Sequence, residues 1–493
     1  MTPSAIDKSA LVAVQRLATA TYADAPFDPG AAYPEIKDPP RGKTNPVYSA
    51  LREALCSLGM DRANFGSSKW NPFRELIKPG DRVALKPNLL WHSHRDRPSE
   101  WVQVITHGSI VRAAVDYVLL ALQGRGEVII ADGPQLDADW AAIVERAGLK
   151  EIVEHYRRVS DVPVRLLDLR TQFIDRRDDV SYSRQSLPGD PEGQRLVELG
   201  RHSRFCEHDD HRRYYGADYD RDETNTHHHG LRHDYGISET IARADVFINL
   251  PKMKTHKKVG VTLSLKNLVG ITTARNWLPH HSIGTPAEGG DQFPNWSVRG
   301  ASEAFGVAWF ERKALNQAAT WAPVYRFAKK LAKPFFGATG NTIRNGNWSG
   351  NDTAWRMVHD LNRCLSYSND GVFPSASRKR YFSIIDGVIG GDGNGPASPD
   401  SVASGLLVAG HNPVSVDCVA TRLMGFDPMR LRILSEVFEP SALPLVDCAY
   451  EHIVVNSNVE SWNGPLHTLR FADAVRFRPH FGWAGSMESN PAA

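Results

Sequence analysis

Cysteine is scarce in this chain: five in 493 residues, at 56, 206, 364, 418 and 448, with no Cys-x-x-Cys pair. That spacing offers no disulfide framework and no cysteine-ligated zinc or iron–sulfur signature, so no intrinsic iron–sulfur cluster is predicted. Long hydrophobic runs are missing as well. No stretch reaches the roughly 18 apolar residues of a membrane span, and residues 1–22 carry an early acidic residue and no long uninterrupted apolar core. Neither a secretory signal nor membrane association is therefore expected, and a cytoplasmic location follows. Nor is there an excess of one charge: 58 basic and 56 acidic side chains leave a formal +2, which argues against nucleic acid as a partner. Any anion must be recognised by charges gathered locally. Gly-x-Gly-x-x-Gly, the Walker-type Gly/Lys loop, Gly-x-Ser-x-Gly and His-Glu-x-x-His are all absent, so dinucleotide, nucleotide, serine-hydrolase and zincin chemistry have no local support.

What is present centres on residues 244–272, ADVFINLPKMKTHKKVGVTLSLKNLVGIT. The apolar run Val246-Phe247-Ile248 stops at Asn249 and Pro251, and reads as a buried strand delivering its end into a mouth, because proline has no amide to continue a ladder. Lys252, Lys254, His256, Lys257, Lys258, Lys266 and Asn267 then form an electropositive rim suited to a carboxylate, phosphate or enolate-like oxygen. A solvated basic turn between two strands is the other reading.

Strand 82–86, an amphipathic helix over 109–124 and strand 127–131 make a βαβ unit, which implies a parallel sheet whose strand ends share one edge. The expected fold class is α/β: a mostly parallel, Rossmann-like sheet with helices on both faces, long insertions and a small C-terminal β addition over 469–477. The expected divisions are an N-terminal helical arm (1–80), the first part of the core (81–170), a polar histidine-bearing insertion (171–240) and central core strands (241–273). A Trp/Gly-rich insertion (274–352) with helices over 301–319 and 321–333, the second part of the core (353–430) and a C-terminal extension (431–493) follow.

The shared edge would gather Lys86, Asn88 and Asp132 with the lysine segment. Lys86, ending a buried strand, needs a partner, and Asp132 can supply it as a salt bridge or as a tuned acid/base couple. His107 opens a helix whose positive end would keep its imidazole neutral, ready to exchange protons or simply to cap the helix. Lys254, His256, His107 and Asp132 are thus the catalytic candidates, and Lys86, Asn88, Lys252, Lys266 and Asn267 the substrate-binding ones. In DGVIGGDGNGP (386–396), Gly390, Gly391, Gly393 and Gly395 free backbone amides for a cofactor or anion nest, or make a tight structural loop. Asp386 and Asp392 are candidate ligands for a divalent ion such as Mg²⁺. Between residues 201 and 234 lie seven histidines, at 202, 208, 211, 227, 228, 229 and 233. His202, Cys206 and His208 have a spacing that suits zinc, although few apolar anchors surround them.

VALKPNLL (83–90), THGSIVRAAVDYVL (106–119), VIIADGP (128–134), the central segment, WRMVHDLNR (355–363), DGVIGGDGNGP and VAGHNPVSVDCVATRLMGFD (408–427) together resemble the domain-of-unknown-function 362 family over about residues 80–430. The family's LPKxKTH pattern falls on Leu250, Pro251, Lys252, Lys254, Thr255 and His256, and its SLKN pattern on 264–267. The resemblance implies no assigned catalytic role. Many members carry a ferredoxin-like iron–sulfur module, which this chain lacks, so a reductive step would need an external electron donor.

Two functions stay open. One is an enzyme acting on a small carboxylate- or phosphate-bearing metabolite through a lysine-rich oxyanion site and histidine acid/base chemistry, with or without an oxidoreductase partner system. The other is a non-catalytic accessory or scaffold that binds a partner subunit, a metal or a cofactor through the 171–234 insertion; either is compatible with a protein partner or a homo-oligomer. Removing that insertion, or changing Lys254 and His256, separates the two.

Overall fold

The computed structural model describes residues 7–36, 44–177, 180–206, 208, 213–216, 221–296 and 343–489. His211, the helices expected over 301–319 and 321–333, and residues 337–342 of the Gly/Asn loop lie outside these.

Twelve strands of the described residues form one mixed sheet. They are β1 (Leu11–Arg16), β2 (Arg82–Pro87), β3 (Glu127–Asp132), β4 (Val164–Asp168), β5 (Val246–Leu250), β6 (Lys252–His256), β7 (Gly260–Thr262), β8 (Arg380–Asn394), β9 (Ser398–Val402), β10 (Leu406–Gly410), β11 (Val454–Ser457) and β12 (Gly464–Pro465). The order is β12-β11-β1-β10-β8-β5-β2-β3-β4. From β8 to β4 every neighbour is parallel. β10 is antiparallel to both β8 and β1. β6 continues past β5 to pair with β8 and β7, and β9 folds back on the end of β8.

Period-two alternation sorts the central strands onto two cores. Val83, Leu85, Val128, Ile130, Val246, Ile248 and Leu250 face one side, under helices α1 (Pro46–Ser57), α2 (Gly108–Leu122) and α3 (Leu149–Val159). Ala84, Ile129, Ala131 and Phe247 face the other, under α4 (Ala354–Tyr367), α5 (Pro413–Leu423) and the C-terminal segment. Both faces are covered, as a parallel sheet requires.

Local signals place several helix starts. Asn45 accepts the Val47 and Tyr48 amides at the head of α1, and Asn412 those of Val414 and Ser415 at the head of α5. At the head of α4 Asp352 is engaged by Arg356 and Arg432, and Asn351 accepts the Thr353 and Ala354 amides.

Two expectations are corrected. The N-terminal arm is not helical at its start: Leu11–Arg16 is a sheet strand, because its alternation Val12/Val14 against Ala13 feeds both cores. The C-terminal β addition is β11 and β12 rather than 469–477, where no strand forms. The histidine-bearing insertion carries its own structure, with Gln172–Arg177 paired to Val180–Ser186 and Gln194–Glu198 paired to Arg232–Ser238.

Candidate functional site

From β2 the chain proceeds outward to β3 and β4, then returns to β5 on the other side of β2 and continues to β8. The carboxyl ends of β2 and β5 are therefore a topological switch point, where open α/β sheets form their crevice. Lys86, Asn88 and Asp132 reach this edge from the strand ends. Pro251 turns the chain into β6, which brings Lys252, Lys254 and His256 over it.

Lys86 Nζ stands 2.7 Å from Asp132 Oδ1 and donates to Pro87 O at 2.9 Å and Asn267 Oδ1 at 3.0 Å. The other Asp132 oxygen accepts the Leu89 amide at 2.6 Å. Burial pulls the Lys86 pKa down, with Asp132 opposing. Asn88 donates to Asn267 Oδ1 at 3.0 Å and accepts from Lys254 Nζ at 3.2 Å. Asn267 in turn donates to Asn249 Oδ1 at 2.7 Å. One continuous network thus joins Asp132, Lys86, Asn267, Asn88 and Lys254. The second acceptor for Lys254 is the Val104 carbonyl. Enclosed without a carboxylate contact, Lys254 has its pKa held well below the usual ammonium range by burial first and Lys252 next.

A second buried pair lies beside the first. Lys252 Nζ is 2.9 Å from Asp386 Oδ2, and both side chains are fully buried. Tyr22 Oη donates to Asp386 Oδ1 at 2.6 Å, the His107 amide donates to Oδ2 at 2.9 Å, and Lys252 donates to Tyr22 Oη at 3.0 Å. His107 Nδ1 accepts the Ser109 amide at 3.2 Å, so the imidazole caps α2. Its ring stacks on Tyr22, with centroids 3.9 Å apart, and on Trp101 at 5.4 Å. Burial, then Lys252, pushes its pKa to about 3. This geometry fits the capping alternative, and His107 does not line the cavity that His256 lines.

That cavity comprises two adjoining recesses of about 50 and 250 Å³ that share Leu90, His256, Lys266, Val269, Arg275 and Pro396. Lys86, Asn88 and Asp132 line the inner one. Arg95, Lys257, Lys258 and His280 line the outer one. His256 Nδ1 accepts the Lys258 amide at 3.1 Å, which leaves the neutral ring its proton on Nε2. Among the described residues no hydrogen bond reaches Nε2. Burial, then Lys266, holds the His256 pKa well below its ordinary value.

Lys266 sits on the four-residue helix Ser264–Asn267, where Leu265 enters the core and Lys266 lines the cavity. The first amides of this helix, Ser264 and Leu265, donate to the two Asp417 oxygens at 2.7 and 2.8 Å. Burial raises the Asp417 pKa to about 7. Lys266 is 7% exposed, and among the described residues its amine has neither a hydrogen bond nor an ion pair. Burial, then Arg275 and Lys86, lowers its pKa to about 7. A substantial part of this amine is therefore neutral at neutral pH.

The other candidates are placed differently. Gly390, Gly391 and Gly393 lie within β8 opposite β9, and the Gly393 amide donates to Arg478 O at 2.9 Å, so these residues build the sheet rather than an anion nest. A Cβ at Gly390 would come 2.5 Å from the Phe477 ring, and one at Gly395 2.0 Å from Thr255 O. Close packing explains these glycines. The residues do not fit a divalent ion either. Asp386 is saturated by Lys252, Tyr22 and the His107 amide, and Asp392 accepts from Arg478 at 2.7 and 3.0 Å. Six residues apart on one strand, the two carboxylates are separated by roughly 20 Å.

His208 Nδ1 lies 2.9 Å from Tyr214 Oη, and the His202 ring packs edge-on to Phe373. Neither joins Cys206 in a ligand set: among the described residues no three His, Cys, Asp or Glu side chains gather in a metal-holding arrangement. His227 stacks on Trp277 at 3.6 Å, and His228 Nε2 lies 2.5 Å from Trp277 O. These histidines tie the 171–240 insertion to the segment after 273.

Tyr22, Gly270, Arg275, Pro396 and Asp417 were not singled out by the sequence. Asp417 had a signal, as the one acid inside the apolar run of α5. Tyr22 had none, being 230 residues from Lys252.

Several known proteins resemble the chain. A thylakoid-associated protein of Synechocystis sp. is 22% identical over 353 residues, 72% of this chain and 66% of that protein, so the chain spans just under two thirds of this relative. A crystal structure of a Thermotoga maritima protein matches with a TM-score of 0.30 and 9% identity, over 73% of this chain and 55% of that one. Residues 83–174 and 203–422, more than half of the sequence, match one family, and the chain belongs to it: the family described as Domain of unknown function (DUF362).

Proposed function

We propose that this protein is an enzyme that binds a small carboxylate- or phosphate-bearing metabolite in the cavity at the β2/β5 switch point and moves a proton on it. One observation carries the reading: Lys266 and His256, both nearly buried, present to a single cavity nitrogens that have no partner among the described residues. Arg275, Lys257 and Lys258 surround it, Asp132 on its inner wall is matched by Lys86, and Asp137 on its outer wall faces Arg95 at 3.8 Å. The field inside favours a negatively charged guest. With its pKa near 7, Lys266 is suited to take a proton from the guest. The Lys86 ammonium and the Arg275 guanidinium would stabilise the oxyanion that develops, and His256 Nε2–H would donate a hydrogen bond to it. The network through Asn267 and Asn88 fixes Lys86 before any ligand arrives, the Lys258 amide holds His256 and Pro134 O holds Arg275, and Leu90, Val269 and Pro396 limit water at the site.

Thermal unfolding of the full chain with pyruvate, acetate and inorganic phosphate tests this. A concentration-dependent rise in the unfolding midpoint is expected for at least one anion, growing with the logarithm of ligand concentration above its dissociation constant. Lys266→Met and His256→Gln should each remove most of that rise. The proposal fails if no anion shifts the midpoint, or if the shift survives unchanged in both variants.

A further inference from the structure

Among the lysines at this edge, Lys266 differs from the others by its surroundings. Lys86 and Lys252 are spent on carboxylates, Lys254 on two amide oxygens, and Lys257 is exposed. Lys266 alone among these is enclosed, without a partner among the described residues, and lines the cavity. Its helix is fixed at one end by Asp417 and at the other by Asn267, whose side chain is tied to Lys86 and Asn249. An amine held still, partly dry and beside cations is arranged as a nucleophile toward a carbonyl whose substrate also carries an anionic group.

We propose that Lys266 Nζ forms an imine with the carbonyl carbon of a small 2-oxo acid, whose carboxylate is held by Arg275 and its cationic neighbours. This rests on the anion-binding reading above and names its substrate class. The lone pair of the neutral amine forms the C–N bond as the carbonyl π pair moves to oxygen. One amine proton passes to that oxygen, giving the carbinolamine. The nitrogen lone pair then forms C=N as the C–O bond breaks. The oxygen leaves as water with a second proton from the Lys86 ammonium, which solvent restores. The iminium keeps one of the original amine protons, so charge and atoms balance and no redox partner enters. His256 Nε2–H is placed to hold the carbonyl oxygen during attack.

The test incubates the full chain with pyruvate, glyoxylate or 2-oxoglutarate and sodium cyanoborohydride, followed by intact-mass measurement and peptide mapping. The expected result is one reduced adduct, on the peptide bearing Lys266, with the exposed Lys69 and Lys78 unmodified. Its rate should rise with pH through a midpoint near 7, and acetate, which has the carboxylate but no 2-oxo group, should slow it by competition. Lys266→Arg should keep the anion-dependent thermal shift and lose the adduct. The map on the unaltered chain decides the matter even if that variant does not fold. A thermal shift with no adduct on Lys266 from any of the three overturns the imine and leaves anion binding standing. Neither shift nor adduct overturns both.

Discussion

Lys86, Lys252, Lys254 and Lys266 are all buried within one sheet edge, where an unmatched ammonium costs several kcal/mol. The first two are answered by aspartates and the third by amide oxygens. Lys266 is answered by no group among the described residues, and its stability signature follows from that. In the unfolded chain it titrates near 10.5, and in the folded protein near 7. Between those values the unfolded state holds a proton that the folded state does not, so this residue's contribution makes stability rise with pH. Below about pH 7 the folded state must carry the charge and the whole penalty applies. Lys266→Met should therefore stabilise the protein against urea by on the order of a few kcal/mol at about pH 6, and by less at about pH 9. Equal gains at both pH values would mean that the amine is not held neutral. Gly270 gives a second prediction at this scale. A Cβ there would lie 1.8 Å from Asp132 Oδ1 and 2.6 Å from Lys86 Nζ. Forcing that pair apart in Gly270→Ala should cost about 2–4 kcal/mol by urea titration, since a broken buried pair leaves charges uncompensated. A loss below about 0.5 kcal/mol, typical of a neutral surface change, would show that the pair tolerates the methyl.

At the scale of elements, the helix Ser264–Asn267 is too short to persist by itself, because nucleation outweighs the few bonds it makes. It exists because Asp417, on α5, accepts its first two amides. Asp417→Ala should lower stability by about 1–3 kcal/mol and weaken the anion-dependent thermal shift, because Lys266 loses its fixed position. If stability falls while the shift keeps its full size, the helix does not position Lys266. The segment from β1 to Tyr22 has a comparable role at the second pair. Tyr22→Phe removes a donor to Asp386 and an acceptor for Lys252 and the Ile389 amide, and should cost about 1–3 kcal/mol. Chemical denaturation at neutral pH checks it, and an unchanged midpoint would mean that other groups replace the phenol. The strand Val246–Leu250 was legible in the sequence because an apolar run ending at a proline is a local pattern. β1 was not, since its six residues acquire their place only from β10 and β11 on either side.

For the whole molecule, the sheet order predicts where opening is most costly. β2 and β5 have strands on both sides and helices over both faces, so their amides should exchange with solvent most slowly, close to the rate set by global unfolding. The peripheral hairpin Gln172–Arg177/Val180–Ser186 should exchange orders of magnitude faster. Hydrogen-exchange mass spectrometry checks this, and early exchange at 82–87 or 246–250 would contradict the strand order. No helix among the described residues is long and apolar enough to cross a membrane. The sequence by itself determined the α/β class, the parallel core and the edge at which Lys86, Asp132 and the lysine segment meet, because strand period, proline stops and helix caps are properties of neighbouring residues. Only the tertiary structure decided which cations are matched, that the glycine run is a hairpin, and that His107 caps a helix while His256 and Lys266 line a cavity. Desolvation and charge compensation depend on side chains tens to hundreds of residues away, and no local pattern encodes them.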